Sequence, residues 1–128
     1  MADTPLWKRG EGGADLGPQR VIHIDDAPLA VTTDGSTPRI ALRPLTTDQC
    51  DMMVMTFEFP PHYEGIIHSH PNDTVYFVRR GTFIVEGEGT FEVGDMRWVK
   101  ANTVYGPERA GPEGCEVILI TLGSFPPG

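Results

Sequence analysis

The sequence predicts a single all-β domain of the sandwich or barrel type, and three observations support this. Short alternating segments of apolar and polar residues recur about every eight to twelve residues, which is the spacing of strands in sandwiches and barrels. The 15 glycines and 12 prolines lie between and around these segments, where they mark turns. No stretch of about ten residues has the apolar period of an amphipathic helix.

Each predicted strand is a run with a period of two, bounded by turn residues. In Asp51–Phe59, four apolar side chains fall on one face, and Pro60-Pro61 ends the run. Glu116–Leu122 is apolar on nearly both faces, which is typical of a central strand or a dimer interface, so we expect a homodimer. The other predicted strands are Arg20–Asp25, Ala30–Thr33, Arg39–Leu45, Ile66–His70, Thr74–Arg80, Thr82–Gly87, Thr90–Val93 and Met96–Val99.

The length of 128 residues is that of one ordinary domain. Residues 20–122 carry all the predicted strands and form the barrel domain. Residues 1–19 mix glycine and charge and are expected to be a loose N-terminal arm, and residues 123–128 a C-terminal tail.

Composition excludes several functional classes. The net charge of −8 repels phosphate backbones, so no nucleic-acid partner is expected. No apolar run approaches the roughly 20 residues that span a bilayer, so no membrane association is expected. The polar N-terminus lacks the apolar centre of a signal peptide, and the two cysteines, Cys50 and Cys115, are expected to be free thiols. These features predict a cytoplasmic protein.

Two histidines are the first candidates for chemistry. His68 and His70 lie two residues apart on a predicted strand, so their side chains point the same way. Paired imidazoles are a natural start for a site that binds a divalent metal ion such as Zn or Fe. The alternative interpretation is two histidines on a solvated strand face.

Two longer patterns resemble the cupin superfamily. The stretch from His62 to Gly81 resembles the motif G-x5-H-x-H-x3,4-E-x6-G, with His68, His70 and Gly81 at matching positions. The stretch that opens with Gly94-Asp95 resembles the second motif, G-x5-P-x-G-x2-H-x3-N. The resemblance covers about residues 51–122. It implies an RmlC-like jelly-roll (double-stranded β-helix) barrel, often dimeric, with a ligand cavity inside and a divalent metal ion (Fe, Zn, Mn or Ni).

The departures from these motifs leave the chemistry open. Thr74 occupies the position of the family's Glu ligand, and Tyr105 that of its second-motif His ligand. Tyr105 is a metal ligand, a catalytic phenol that moves a proton, or an aromatic that fills the space of a metal. Thr74, Tyr76 and Val78 share one strand face and are the predicted substrate-binding residues. The Gly- and Pro-rich residues 105–114 are expected to be a lid or a surface turn.

Three functions follow from these candidates. The first is a small-molecule enzyme with a divalent metal ion at His68 and His70, which catalyses a lyase, isomerase, cyclase or dioxygenase reaction. The second is a metal-free module that binds a small ligand without turnover, which the Thr74 and Tyr105 replacements favour. The third is a dimeric structural protein with a vestigial pocket.

Overall fold

The computed structural model describes residues 9–10, 12–15, 18–31 and 40–123. Within them the chain is almost entirely β-structure, so the all-β prediction is confirmed. One 3-10 helix, Ile24–Asp26, lies between the second and third strands. The strands are β1 (Ala14–Asp15), β2 (Arg20–Val21), β3 (Ala30–Val31), β4 (Ala41–Pro44), β5 (Met52–Phe59), β6 (Thr74–Val85), β7 (Gly89–Phe91), β8 (Met96–Val99) and β9 (Glu108–Leu122).

The described strands form two antiparallel sheets. Strands β1 and β2 pair with each other, and the other seven form one sheet in the order β3-β4-β5-β9-β6-β7, with β8 also paired to β6. Strand β9 lies between β5 and β6, so that Ile120 faces Val54 on one side and Val75 on the other. Of the two alternatives for Glu116–Leu122, a central strand or a dimer interface, the central position is therefore confirmed.

A bend in the two longest strands curls the large sheet. The register between β6 and β9 shifts between Val78 and Arg80 and again between Gly81 and Phe83. At the bend Gly81 has φ +70°, and a Cβ there would lie 2.2 Å from the Gly114 carbonyl oxygen, so only glycine fits. The first half of β6 pairs with β8 and the second half with β7, which turns the sheet around one interior.

The interior is filled by alternating side chains of the two long strands. Val117 is fully buried, and Leu119, Phe83 and Val85 are each 1% exposed. Burying an aliphatic or aromatic side chain of this kind stabilises the fold by about 1.5–3 kcal/mol. The side chains of β6 and β9 therefore form most of the core.

Three of the sequence predictions for this half of the chain are wrong. Ile66–His70 forms no strand, and only one β-bridge, between His68 and Tyr105, lies there. The two strands predicted on either side of Gly81 form the single strand β6, because Gly81 forms a bulge and not a turn. Residues 108–114 belong to β9, so this part of the expected lid or surface turn is sheet.

The N-terminal predictions hold in part. The strand expected at Arg20–Asp25 is confined to Arg20–Val21, because the His23 Nδ1 accepts a hydrogen bond from the Asp25 N–H and caps the 3-10 helix. The predictions at Ala30–Thr33 and Arg39–Leu45 are confirmed at Ala30–Val31 and Ala41–Pro44. Thr32, Thr33 and Arg39 lie outside the described residues, as do much of the arm and most of the tail.

The outer face of the large sheet carries exposed apolar side chains. Trp98 and Met96 of β8 are more than half exposed, and the neighbouring Phe77 of β6 is 38% exposed. The expected homodimer stays a prediction. No helix in the described part of the chain is long and apolar enough to cross a membrane.

Candidate functional site

Two backbone segments hold the predicted site residues together. His68 and Tyr105 exchange both backbone N–H···O hydrogen bonds, each with a donor–acceptor distance of 3.0 Å. The Asn102 N–H also donates to the His70 carbonyl at 2.7 Å. The two imidazole rings lie edge to face, with centroids 4.8 Å apart, and the Tyr105 ring lies 4.7 Å from that of His68. The structure thus brings the H-x-H pair and Tyr105 to one place.

A cavity of about 190 Å³ opens beside these rings. Its walls are mostly apolar, and its polar side chains gather at one end, which is the usual construction of a small-molecule site. The apolar and aromatic lining consists of Ile40, Phe57, Phe59, Tyr63, Ile66 and Leu119, together with Gly65. The polar lining consists of His68, His70, Tyr76 and Glu108.

Four of the polar side chains form a continuous series of contacts, which we call the polar chain: Tyr76, Tyr105, Glu108 and His68. The Tyr76 and Tyr105 hydroxyl groups are hydrogen-bonded to each other, and the Tyr105 hydroxyl lies near enough to the Glu108 carboxylate to lower its pKa. Glu108 Oε1 lies 3.3 Å from His68 Nε2. The polar chain thus joins a buried phenol pair to a carboxylate–imidazole pair at the cavity wall.

The tautomer of His68 follows from its other contact. Its Nδ1 lies 2.8 Å from the Ile66 carbonyl oxygen, which can only accept, so Nδ1 carries a hydrogen. The second nitrogen, Nε2, faces the Glu108 carboxylate. One proton shared between these two atoms satisfies both groups.

Burial shifts the ionisation of the polar chain. Desolvation raises the pKa of the Glu108 carboxyl above its usual value, although His68, Arg97 and Tyr105 oppose this shift. Desolvation, together with the nearby Glu108 charge, also raises the pKa of Tyr76 and Tyr105 far above that of an ordinary phenol. Both tyrosines therefore stay neutral, and Glu108 keeps a proton to higher pH than an exposed glutamate does.

An arginine lies against the buried phenols. Arg97 of β8 points inward, and its guanidinium carbon lies 4.4 Å from the Tyr105 ring centroid and 5.1 Å from that of Tyr76. Its Nε and Nη2 donate to the two carboxylate oxygens of Glu88, at 2.7 and 2.6 Å. The positive charge beside the tyrosines is therefore neutralised within the protein.

The three predicted substrate-binding residues are placed differently. Tyr76 lines the cavity and is 3% exposed. Thr74 and Val78 are buried on the same face of β6 but are not among the lining residues, and the Thr74 hydroxyl donates to the Asn72 carbonyl at 3.2 Å. Tyr105 does not line the cavity either. It affects the cavity wall only by lowering the pKa of the Glu108 carboxyl.

Sequence reasoning missed Glu108 and Arg97. Glu108 lies within the Gly- and Pro-rich residues 105–114, whose composition predicts a loop and not the beginning of β9. In the folded chain Glu108 faces Val85 across the sheet, and its carbonyl accepts from the Gly65 N–H at 2.8 Å. An alternation of inward side chains counted back from Glu116 would have placed Glu108 on a strand, but not beside His68.

No protein-family model matches the sequence, and no curated protein is a significant match to it. Solved structures do match. The RmlC-like cupin protein from Ralstonia eutropha JMP134 superposes with a TM-score of 0.66 over 80% of this chain and 68% of that chain, at 14% sequence identity. This chain has the cupin fold.

Two further solved structures share this cupin fold. The polyketide cyclase RemF from Streptomyces resistomycificus has a TM-score of 0.71 and 18% identity, over 85% of this chain and 82% of that chain. The Rhodobacter sphaeroides SigE complex with the anti-sigma ChrR has a TM-score of 0.63 and 17% identity. That match covers 77% of this chain and 51% of the other, so this chain spans about half the length of the chain it matches. The likeness establishes the fold.

The donor set of this site fits a metal ion poorly. The residues at two of the four ligand positions of the cupin motifs are the neutral Thr74 and Tyr105, and the Tyr105 hydroxyl is already bonded to Tyr76. Across the residues that the structure describes, no group of three or more His, Cys, Asp or Glu side chains is arranged to hold a metal. Catalytic zinc sites keep three protein ligands. Metal binding by His68 and His70 stays a prediction.

Proposed function

We propose that this cupin is an enzyme that moves a proton on a small, largely apolar substrate, as lyases, isomerases and cyclases do. The observation that carries the proposal is the Glu108–His68 pair, which lies at the cavity wall with Nε2 of His68 3.3 Å from Oε1 of Glu108. A carboxylate and an imidazole that share one proton can both accept and return a proton.

Glu108 is the proposed base. Its side chain is 9% exposed, and burial raises its pKa above the usual value, which makes the carboxylate a stronger base than an exposed glutamate. In the proposed step, the Glu108 carboxylate takes a proton from a substrate carbon beside a carbonyl. The electron pair of the broken C–H bond moves to the carbonyl oxygen and gives an enolate.

The neighbouring groups stabilise this step. The proton on His68 Nε2 offsets the developing negative charge, because Glu108 becomes neutral as the enolate forms. The proton then returns to another atom of the substrate, which gives an isomer or a ring closure, or it goes to a leaving group, which gives an elimination. The walls around the reacting atoms are mostly apolar.

Deuterium exchange tests this proposal without knowledge of the natural substrate. Cyclohexanone and cyclohex-2-enone in D2O are incubated with metal-free protein, and NMR follows the C–H to C–D exchange beside the carbonyl. Wild-type protein should catalyse the exchange with or without chelator, and Glu108→Gln should lower the rate by roughly 10²-fold or more. The matched control is His62→Gln, which changes an exposed turn histidine and should leave the rate unchanged.

Two other results would contradict the proposal in different ways. Exchange that stops with chelator and returns with Fe, Zn, Mn or Ni would favour the metal-dependent enzyme that the cupin resemblance implies, dioxygenase chemistry included. Binding of both ketones without any exchange would favour a module that binds a small ligand without turnover.

A further inference from the structure

The cavity has room for a single ring. An apolar protein cavity of about 150 Å³ holds benzene, and the cavity of this cupin is slightly larger at about 190 Å³. Its walls include aromatic rings, with Phe59 packed against Phe57 at a centroid distance of 6.2 Å and against Tyr63 at 4.8 Å. A flat ring fits between such walls better than a flexible chain, because it loses less conformational entropy when it binds.

The charges around the cavity disfavour an anionic ligand. Glu108 lines the cavity, and no lysine or arginine is among the described lining residues. The nearest arginine, Arg97, is already paired with Glu88, and the His68 imidazole faces Glu108. A carboxylate or phosphate in this cavity would lie beside a buried carboxylate without a free cation, and an unpaired buried charge is costly.

The polar end of the cavity offers an acceptor. The Glu108 carboxylate has two oxygens, and Oε1 faces His68. A neutral hydroxyl or enol group on the ligand can donate to this carboxylate, and a donor to an ionised group forms a strong hydrogen bond. An apolar ring without a donor would remove water from the carboxylate and would not replace the hydrogen bonds that the water made.

We infer that the ligand of this site is a neutral single-ring molecule with a hydroxyl or enolisable carbonyl group, and that the site rejects carboxylates. This inference rests on the proposed function, because it names the substrate class of the same site. Phenol is a stable analogue of the enol of a cyclic ketone and carries the required donor.

Binding of three matched rings tests the inference. Phenol, benzoate and toluene are titrated into the full-length wild-type protein at neutral pH with chelator present, and NMR gives each Kd. Contacts between phenol protons and the Phe59 and Leu119 side chains locate the bound ring. Phenol should bind roughly tenfold to a hundredfold more tightly than either benzoate or toluene, because only phenol both avoids a charge and satisfies the carboxylate.

Glu108→Gln provides the complementary result. The substitution removes the negative charge and leaves His68 without its partner, so benzoate should bind at least tenfold more tightly than it binds the wild type. If this variant does not fold, the comparison of the three rings on the wild type still decides the question.

Two results would overturn the inference. Benzoate that binds the wild type as tightly as phenol would show that the site does not select against charge, and toluene that binds as tightly as phenol would show that it does not select a donor. Neither result depends on turnover. Selective phenol binding without deuterium exchange in cyclohexanone would leave the inferred ligand class standing and refute the proposed proton transfer.

Discussion

The ion pair between Arg97 and Glu88 predicts unequal effects of removing either partner. The Arg97 side chain is 6% exposed, whereas the Glu88 side chain is 37% exposed. Glu88→Ala leaves a guanidinium group inside the barrel without its carboxylate, and Arg97 Nη1 already has no hydrogen-bond partner. Arg97→Met leaves a carboxylate that can turn into water and replaces much of the lost volume.

The expected magnitudes follow from these exposures. Breaking a fully buried ion pair costs about 3–5 kcal/mol, so Glu88→Ala should lower the free energy of unfolding by about 3 kcal/mol, because one partner is partly solvated. Arg97→Met should cost about 1 kcal/mol, because the freed carboxylate regains its hydration. The double variant should resemble Arg97→Met, because no unpaired charge remains in it.

Urea unfolding of the wild type and the three variants at neutral pH measures these free energies. The denaturant slope of each variant should match that of the wild type, so that the midpoints report stability alone. A loss of stability in Arg97→Met equal to or larger than that in Glu88→Ala would refute the reasoning, since it would mean that the buried charge costs less than the contacts of the arginine.

Three further predictions concern single groups. Tyr105→Phe removes a hydroxyl that lowers the pKa of Glu108, so the pH at which the deuterium-exchange rate falls off on the acid side should move to higher pH. If that pH does not move, the Tyr105 hydroxyl has a structural role only. Burial raises the pKa of the Cys115 thiol to about 12, so iodoacetamide at about pH 8 should label only the exposed Cys50, as one adduct by mass spectrometry, and both thiols after unfolding. Hydrogen bonds from a backbone N–H and an indole N–H lower the pKa of Asp73. The stability that this carboxylate contributes is therefore present above its unfolded pKa and lost as the pH falls through its lower folded pKa. Asp73→Asn should make the urea midpoint less dependent on pH between about pH 5 and about pH 2. A pH dependence equal to that of the wild type would contradict this.

The fold was largely predictable because alternation is a local property. Met52–Phe59 and Met96–Val99 form strands at or within one residue of the predicted bounds. The predictions failed where a residue has two structural uses. A glycine such as Gly81 permits a turn or a bulge equally well, and only pairing with β9 selected the bulge.

The candidate site was predictable only in part. The resemblance placed His68, His70 and Tyr105 near one another, and the structure brings their rings to within 6.1 Å or less, centroid to centroid. The contacts that set the proposed chemistry join distant residues, since Glu108 meets His68 and Glu88 meets Arg97. Nothing in the local sequence around Glu108 indicates which side chain it will face.

The sequence by itself determined the all-β class, the apolar character of both faces of Glu116–Leu122 and the residues that depart from the cupin motifs. A period of two fixes which face a side chain occupies. The tertiary structure decided the register of β6 against β9, the burial of Glu108 and the pairing of Arg97. The reason is physical: burial and partner are properties of the space between strands, and that space exists only after strands far apart in sequence have paired and the sheet has curled around its core.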